Sequence, residues 1–204
     1  MIPDGCHIPE TADALQRPRL HKMLHRYDRC RVILVTGQAA QGKSTLVADF
    51  LKESRERSLW FHLDRTSSDS GVLFDRLIRE LTRSPDRETG AGKDSALPPH
   101  IPLGSRQDLL RQIDILRQLM VQYGQGLNIV FDDMETLDEK GTAPGLIQGL
   151  IRESPGGVRF FLISRSRPAV NLSRFKMNRQ VLTLTNADLA FTLDEAMAFF
   201  TAPG

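Results

Sequence analysis

Apolar residues along the chain form two alternating patterns. Five short runs are almost continuously apolar, as in strands buried on both faces of a parallel sheet: residues 32–35, 59–63, 127–131, 158–163 and 181–184. Between them, apolar residues recur at three- and four-residue spacing. That spacing predicts helices over 17–28, from Lys43 onward, over 72–81, 109–123 and 146–151, and over a last helix capped by Asp194 that extends through Phe200. The alternation predicts an α/β fold, a doubly wound five-stranded parallel sheet flanked by helices.

Proline and glycine mark the parts outside this pattern. Residues 84–105 are rich in both and have hardly any apolar periodicity, so we expect an exposed, mobile insertion there. Residues 1–14 precede the first apolar stripe and are expected to form a flexible tail. The compact core is therefore predicted to span 15–188.

Composition narrows the class of protein. Hydrophobic residues make up 40% and charged residues 25%, as in ordinary globular domains. The net charge of +2 comes from scattered residues rather than a block that would bind nucleic acid or a membrane surface. No apolar run approaches the roughly 20 residues needed to cross a bilayer. The two cysteines lack metal-ligand spacing and are interpreted as thiols in a reducing cytoplasm.

The segment between the first strand and its helix carries the clearest chemistry. It reads Gly37-Gln38-Ala39-Ala40-Gln41-Gly42-Lys43-Ser44, followed by Thr45. Glycines at the two ends permit positive φ or close approach, so that backbone N–H groups can surround phosphates at the positive end of a helix. In this motif the lysine reaches the β- and γ-phosphates and the serine hydroxyl binds Mg²⁺. We therefore predict a nucleoside triphosphate site.

Two acids follow the third predicted strand. Asp132 is placed to hold Mg²⁺, directly or through water, and Asp133 to orient and deprotonate a water that attacks the γ-phosphate. Acids after strands also start turns or cap the next element, and that alternative stays open.

An arginine follows the fourth predicted strand. Arg165 would lie at the sheet edge where ligands of open α/β folds bind, and there it could sense or neutralise the γ-phosphate. The alternative is a solvated arginine beside Arg167.

Together these pieces resemble the ATPase module of STAND proteins, the signal-transduction ATPases with numerous domains. The resemblance runs from Arg17 to Phe200 and is strongest to the branch found in large bacterial transcriptional activators of the maltose-activator type. Its points, in order, are Arg17-Pro-Arg-Leu20, the phosphate loop through Leu46, Trp60 with Leu63-Asp64, Val130-Phe-Asp-Asp133, Ser164-Arg165 with Pro168, and the stretch from Leu189 to Ala196 with Phe199-Phe200.

The resemblance implies further roles. ATP would be the nucleotide, Arg17 would lie on its adenine side, and residues 189–204 would begin a helical lid. Family loops usually have a glycine where Ala40 stands and an aromatic residue where Gln41 stands, which can shift affinity while every phosphate-contacting position stays filled. The chain ends before the DNA-binding and sensor regions of such proteins, so we expect a fragment that reaches DNA only through absent domains.

The leading functional hypothesis is a cytoplasmic regulatory ATPase. ATP with Mg²⁺ would hold one conformation, slow hydrolysis to ADP would reset it, and the ATP state of the full-length protein would self-associate. A small-molecule kinase using the same loop is one alternative. A scaffold that binds nucleotide without hydrolysing it is another.

Overall fold

Five parallel strands form the sheet that the apolar runs predict. A computed structural model gives their bounds as β1 (Val32–Thr36), β2 (Arg57–His62), β3 (Leu127–Asp132), β4 (Val158–Ser164) and β5 (Val181–Leu184). Their order across the sheet is β2-β3-β4-β1-β5. In this register Val32 lies between Phe160 of β4 and Val181 of β5. The first strand is therefore inserted between the last two.

The structure describes residues 8–11, 15–27, 29–54, 56–83, 105–123 and 126–201. Most of the predicted tail at 1–14 and residues 84–104 of the predicted insertion lie outside this part of the chain. None of the helices within these ranges is long and apolar enough to cross a membrane.

Helices cover both faces of the sheet. Their bounds are α1 (Pro18–Arg26), α2 (Lys43–Glu53), α3 (Ser70–Thr82), α4 (Arg106–Val121), α5 (Ala143–Glu153), α6 (Ser173–Met177), α7 (Asn186–Leu189) and α8 (Leu193–Thr201). Short 3-10 helices lie at Arg65–Ser68 and Met134–Thr136. Buried side chains of α1, α2 and α7 pack on one face, and those of α3, α4 and α5 pack on the other.

Strand β1 shows why both faces are buried. Ile33 and Val35 belong to the apolar cluster beneath α1 and α2, while Val32 and Leu34 belong to the cluster beneath α3 to α5. Successive side chains of a strand point to opposite faces, so a continuous apolar run fills both cores at once. The phosphate loop therefore starts from an interior strand that is buried on both faces.

Two helices are capped by residues other than the sequence pattern predicts. Ser105 was placed in the insertion, but it caps α4: its Oγ accepts from the Asp108 N–H at 3.2 Å, and the Asp108 carboxylate accepts from the Ser105 N–H at 3.1 Å. Asp194 was predicted to cap the last helix, but Thr192 does so, because its Oγ1 accepts from the Glu195 N–H at 3.2 Å. In both cases the reciprocal pair of a capping box sets the start.

The apolar pattern places residues 173–176 in none of the predicted helices, yet the structure has them helical. They belong to the five-residue helix α6, which lies between β4 and β5. The turn is too short to show a helical stripe of apolar residues in the sequence.

The packing of α4 against α5 gives a testable contrast between two glycines. A Cβ at Gly149 would lie 2.1 Å from Ile113 Cδ1, whereas a Cβ at Gly145 would meet only Leu109 Cδ2 at 3.4 Å. We expect Gly149→Ala to lower the free energy of unfolding by about 1–2 kcal/mol through overpacking. Gly145→Ala should be neutral or stabilising by about 0.5 kcal/mol. Urea unfolding followed by the fluorescence of Trp60 measures both free energies of unfolding. A Gly149→Ala protein as stable as the Gly145→Ala control would contradict the close packing of α4 on α5.

Candidate nucleotide-binding site

The carboxyl ends of β3, β4 and β1 are neighbours at one edge of the sheet. They bring together Asp132 and Asp133 after β3, Arg165 after β4, and the phosphate loop after β1. Thr36 at the end of β1 is directly opposite Ser164 at the end of β4. The predicted phosphate and metal residues therefore share the edge at which open α/β sheets bind ligands.

Gly37 and Gly42, at the two ends of the loop, serve different purposes. Gly42 is the N-cap of α2 with φ of 72°, and a Cβ there would meet no atom within 4 Å. Glycine is needed at that position for its left-handed backbone. A Cβ at Gly37 would instead lie 2.4 Å from Gln41 Oε1 and 2.9 Å from Asn186 Oδ1. Gly37 is needed because other groups approach it closely.

Ala40 adopts a conformation that favours glycine. Its φ is 60°, in the left-handed region, where a Cβ costs roughly 1–2 kcal/mol. This is the position at which the resemblance implies a glycine in most family loops. Some backbone strain is therefore stored at Ala40.

Lys43 and Ser44 begin α2 and face the site from it. Lys43 is 9% exposed, and its Nζ donates to the carbonyl of Gln38 across the loop at 2.7 Å. Ser44 Oγ donates to Asp132 Oδ1 at 3.0 Å. The start of α2 is thus connected directly to the end of β3.

Asp132 is the most deeply buried acid of the site, with 2% exposure. Burial raises the pKa of its carboxyl and the nearby charge of Asp133 adds to this, while the hydrogen bond from Ser44 and the proximity of His62 act in the opposite direction. A carboxylate in such a position is stabilised by an added cation.

A third side chain that sequence patterns did not single out lies beside the two acids. His62 Nδ1 is 3.5 Å from Asp132 Oδ2, because β2 and β3 align His62 with Asp132. His62, Asp132 and Asp133 each offer one ligand atom, and these atoms lie within 4.8 Å of one another. The pairing of β2 with β3 places His62 here, and no local sequence signal reports that pairing.

Asp133 follows in a left-handed conformation, with φ of 59° and ψ of 40°. Its backbone N–H donates to Asp132 Oδ1 at 3.0 Å. Within the described residues no group donates a hydrogen bond to the Asp133 carboxylate. That carboxylate is therefore available to accept a hydrogen bond from water.

Arg165 is held by Glu135, a residue that sequence reasoning missed. Arg165 Nε lies 2.9 Å from Glu135 Oε1, and the Arg165 backbone N–H donates to Glu135 Oε2 at 3.0 Å. Ser164 Oγ also donates to Oε2, at 3.2 Å. One carboxylate on the 3-10 helix after β3 thus links the ends of β3 and β4.

Asn186, at the start of α7, is a second residue that was missed. Its Oδ1 accepts from the Gln38 N–H at 3.0 Å, so the end of β5 supports the phosphate loop.

Arg17 is a buried residue that precedes α1 and lies across a cavity from the phosphate loop. Its Nη2 donates to the carbonyls of Leu189 and Ala190 at 2.7 and 3.0 Å and to Glu195 Oε2 at 3.2 Å. Burial acts to raise the pKa of Glu195, but hydrogen bonds from the Thr192 N–H, Arg17 and Arg19 outweigh it and leave that pKa lowered. Glu195 is therefore a stable anionic partner for Arg17.

A cavity of about 180 Å³ lies between Arg17 and the phosphate loop. The Arg17 guanidinium stacks over the Phe191 ring at 4.8 Å from its centroid, and both residues line this cavity. Ala40, Gln41, Gly42 and Thr45 line its other side. Arg17 and the phosphate loop thus form two walls of one cavity.

Comparison with known proteins identifies this arrangement. The model of the family described as "AAA ATPase domain" matches residues 14–163, which include the phosphate loop and both aspartates. The chain belongs to the AAA ATPase domain family. Arg165 lies just beyond the matched residues.

Relatives of this AAA ATPase domain include a transcriptional regulator. The HTH-type transcriptional regulator MalT of Klebsiella pneumoniae is 23% identical over 98% of this chain, which spans 22% of that protein. The predicted resemblance to STAND proteins and maltose activators is confirmed.

Solved structures agree on the fold. The Walker-type ATPase PABY2304 of Pyrococcus abyssi has a TM-score of 0.58 and 17% identity, with 94% of this chain and 59% of that one covered. A STAND protein of Pyrococcus horikoshii with a tetratricopeptide repeat sensor has a TM-score of 0.52 and 14% identity, with 96% and 26% covered. The predicted P-loop NTPase fold is confirmed, and the chain again spans only part of each relative.

The strain at Ala40 can be measured against its neighbour. Ala40→Gly should raise the free energy of unfolding by about 0.5–1 kcal/mol, because glycine relieves the left-handed strain by more than its chain entropy costs. Ala39 does not have positive φ, so Ala39→Gly should lower that free energy by about 0.5 kcal/mol. Thermal unfolding of the two variants without nucleotide provides the comparison. Equal effects of the two changes would show that Ala40 carries no backbone strain.

Proposed function

We propose that this AAA ATPase domain is a cytoplasmic regulatory switch that binds ATP with Mg²⁺ and hydrolyses it slowly. The nucleotide state would set the conformation and self-association of a longer regulator, which reaches DNA through other domains. The observation that carries the proposal is the contact between Ser44 and the buried Asp132, which joins the phosphate loop to the acid of the neighbouring strand.

The loop side supports binding of a triphosphate. Lys43 is buried with only a neutral carbonyl as its hydrogen-bond partner in the described residues, so an anionic phosphate would supply the missing opposite charge. The first N–H groups of α2 add the positive end of a helix. Gly37, Gln38, Ala39 and Gln41 would complete the surrounding backbone.

Ser44 and Asp132 form the part of the site that suits Mg²⁺. The Ser44 hydroxyl and the Asp132 carboxylate are hard oxygen donors 3.0 Å apart, which is the chemistry that this ion prefers. Bound there with ATP, Mg²⁺ would neutralise charge on the β- and γ-phosphates. Ser44 and Asp132 would hold it, and its charge would offset the burial of Asp132.

Hydrolysis is assigned to Asp133 and Arg165. The Asp133 carboxylate would accept a proton from the attacking water, and Arg165 would neutralise charge on the γ-phosphate. Lys43 would neutralise further phosphate charge during the same step. The free acceptor oxygens of Asp133 support its part in this assignment.

The adenine ring of ATP is assigned to the cavity beside Arg17. The Phe191 ring and the Arg17 guanidinium offer flat surfaces against which an adenine can stack, next to Thr45. Arg17 and Arg19 bind Glu195 of α8, which supports the proposal that residues 189–204 begin a lid over this site.

Replacement of the proposed catalytic acid tests hydrolysis. Asp133→Asn should reduce phosphate release at least about tenfold, since the amide cannot take up a proton, while ATP affinity stays within about twofold. Asparagine tolerates the left-handed backbone of this position, so the fold should persist.

The assay is phosphate release in single turnover with Mg²⁺, and Asp138→Asn, an exposed acid of the same segment, is the control. Unchanged turnover in Asp133→Asn would remove Asp133 from the mechanism. Wild-type protein that kept ATP intact after long incubation would instead be a scaffold, and phosphate appearing on an added metabolite would make it a kinase.

Replacement of the proposed metal ligand tests Mg²⁺ binding. Asp132→Asn keeps an acceptor for Ser44 but removes the charge, so the enhancement of ATP affinity by Mg²⁺ should fall at least about tenfold. ATP affinity measured without Mg²⁺ should change little. Isothermal titration calorimetry measures the ATP affinity with and without Mg²⁺. If Mg²⁺ raised the affinity of Asp132→Asn as much as that of wild type, Asp132 would not be a metal ligand.

A further inference from the structure

Glu135 lies on the 3-10 helix after β3 and is held there by residues at the end of β4. Both carboxylate oxygens are occupied, Oε1 by Arg165 Nε and Oε2 by the Arg165 N–H and Ser164 Oγ. Three contacts from two consecutive residues of one strand end fix a carboxylate much more closely than a single surface ion pair does. Glu135 is therefore a fixed element of the edge between β3 and β4.

The contacts leave part of the Arg165 side chain unengaged. A guanidinium has five N–H donors in a planar fork, and Glu135 Oε1 forms its ion pair with this group at Nε. In the described part of the chain, the two terminal nitrogens donate to no group, and the side chain is 60% exposed. The terminal nitrogens are the pair that can bond two oxygens of a phosphate at once.

The anchoring matters because an exposed arginine is otherwise free to rotate. Its side chain loses rotamer entropy when it is fixed on a ligand. Contact with Glu135 restricts the stem in the nucleotide-free protein, so less of this cost falls on nucleotide binding.

We propose that Glu135 is a positioning residue that orients Arg165 toward the γ-phosphate, and that the Glu135–Arg165 pair thereby helps the site to distinguish ATP from ADP. This inference rests on the proposed function, in which Arg165 meets the γ-phosphate. It adds Glu135 to the residues with a proposed role at the site.

The test compares one nucleotide that carries a γ-phosphate group with one that does not. Affinities of ADP and of a non-hydrolysable ATP analogue are measured by calorimetry with Mg²⁺ for Glu135→Gln, Arg165→Ala and the double variant. Glu135→Gln retains an acceptor oxygen for Ser164 and the Arg165 N–H while removing the charge that holds Nε. Glu139→Gln, an exposed glutamate four residues later, is the matched control.

We expect Glu135→Gln to weaken the analogue about fivefold and to leave ADP within about twofold. Arg165→Ala should have a similar effect, and the double variant should be no worse than Arg165→Ala, because both changes remove one interaction. Glu139→Gln should bind both nucleotides like wild type. Unchanged ADP affinity shows that a variant is folded.

Other results would overturn the inference. Tighter analogue binding by Glu135→Gln would mean that Glu135 withholds Arg165 instead of presenting it. Equal weakening of both nucleotides would mean a purely structural role, and additive losses in the double variant would mean two independent interactions. An unchanged preference in Glu135→Gln would overturn this inference alone, whereas a wild-type protein that bound neither nucleotide would overturn the proposed function itself.

Discussion

The position of β1 between β4 and β5 is the constraint on which the site depends. The loop after β1 can meet the ends of β3 and β4 only because strands that come more than a hundred residues later pair on both sides of it. Such non-local pairing costs loop-closure entropy before any contact is gained. The apolar run of β1, buried on both faces, offsets that cost. Core packing thus decides where the phosphate loop lies.

The site that results contains two buried charges of opposite sign. Lys43 is 9% and Asp132 is 2% exposed, and within the described residues each is bonded to neutral groups, apart from the partly exposed His62 beside Asp132. Each charge is costly to bury without a counter-charge. An anionic nucleotide would compensate the lysine and a bound cation the aspartate. Ligands that relieve two such charges at one edge are thermodynamically coupled, so each should strengthen the binding of the other.

The sequence indicated those parts of the site that follow from local pattern. Strands, the phosphate loop and the acids after β3 were predictable because apolar runs, glycine spacing and strand ends are all properties of neighbouring residues. Glu135, Asn186 and His62 were not, because each acts across strands whose order is not written in any local segment. The family match now covers the loop and acids, while the roles of individual residues remain predictions.

Arg17 connects the start of the described core to the last two helices, α7 and α8. One buried guanidinium bonds two carbonyls at the end of α7 and the carboxylate of Glu195 on α8. These acceptors belong to one continuous stretch of chain, so a shift of that stretch withdraws them together. The guanidinium would then be left buried and unpaired, which costs several kcal/mol. This wall of the cavity should therefore move as one unit and not residue by residue.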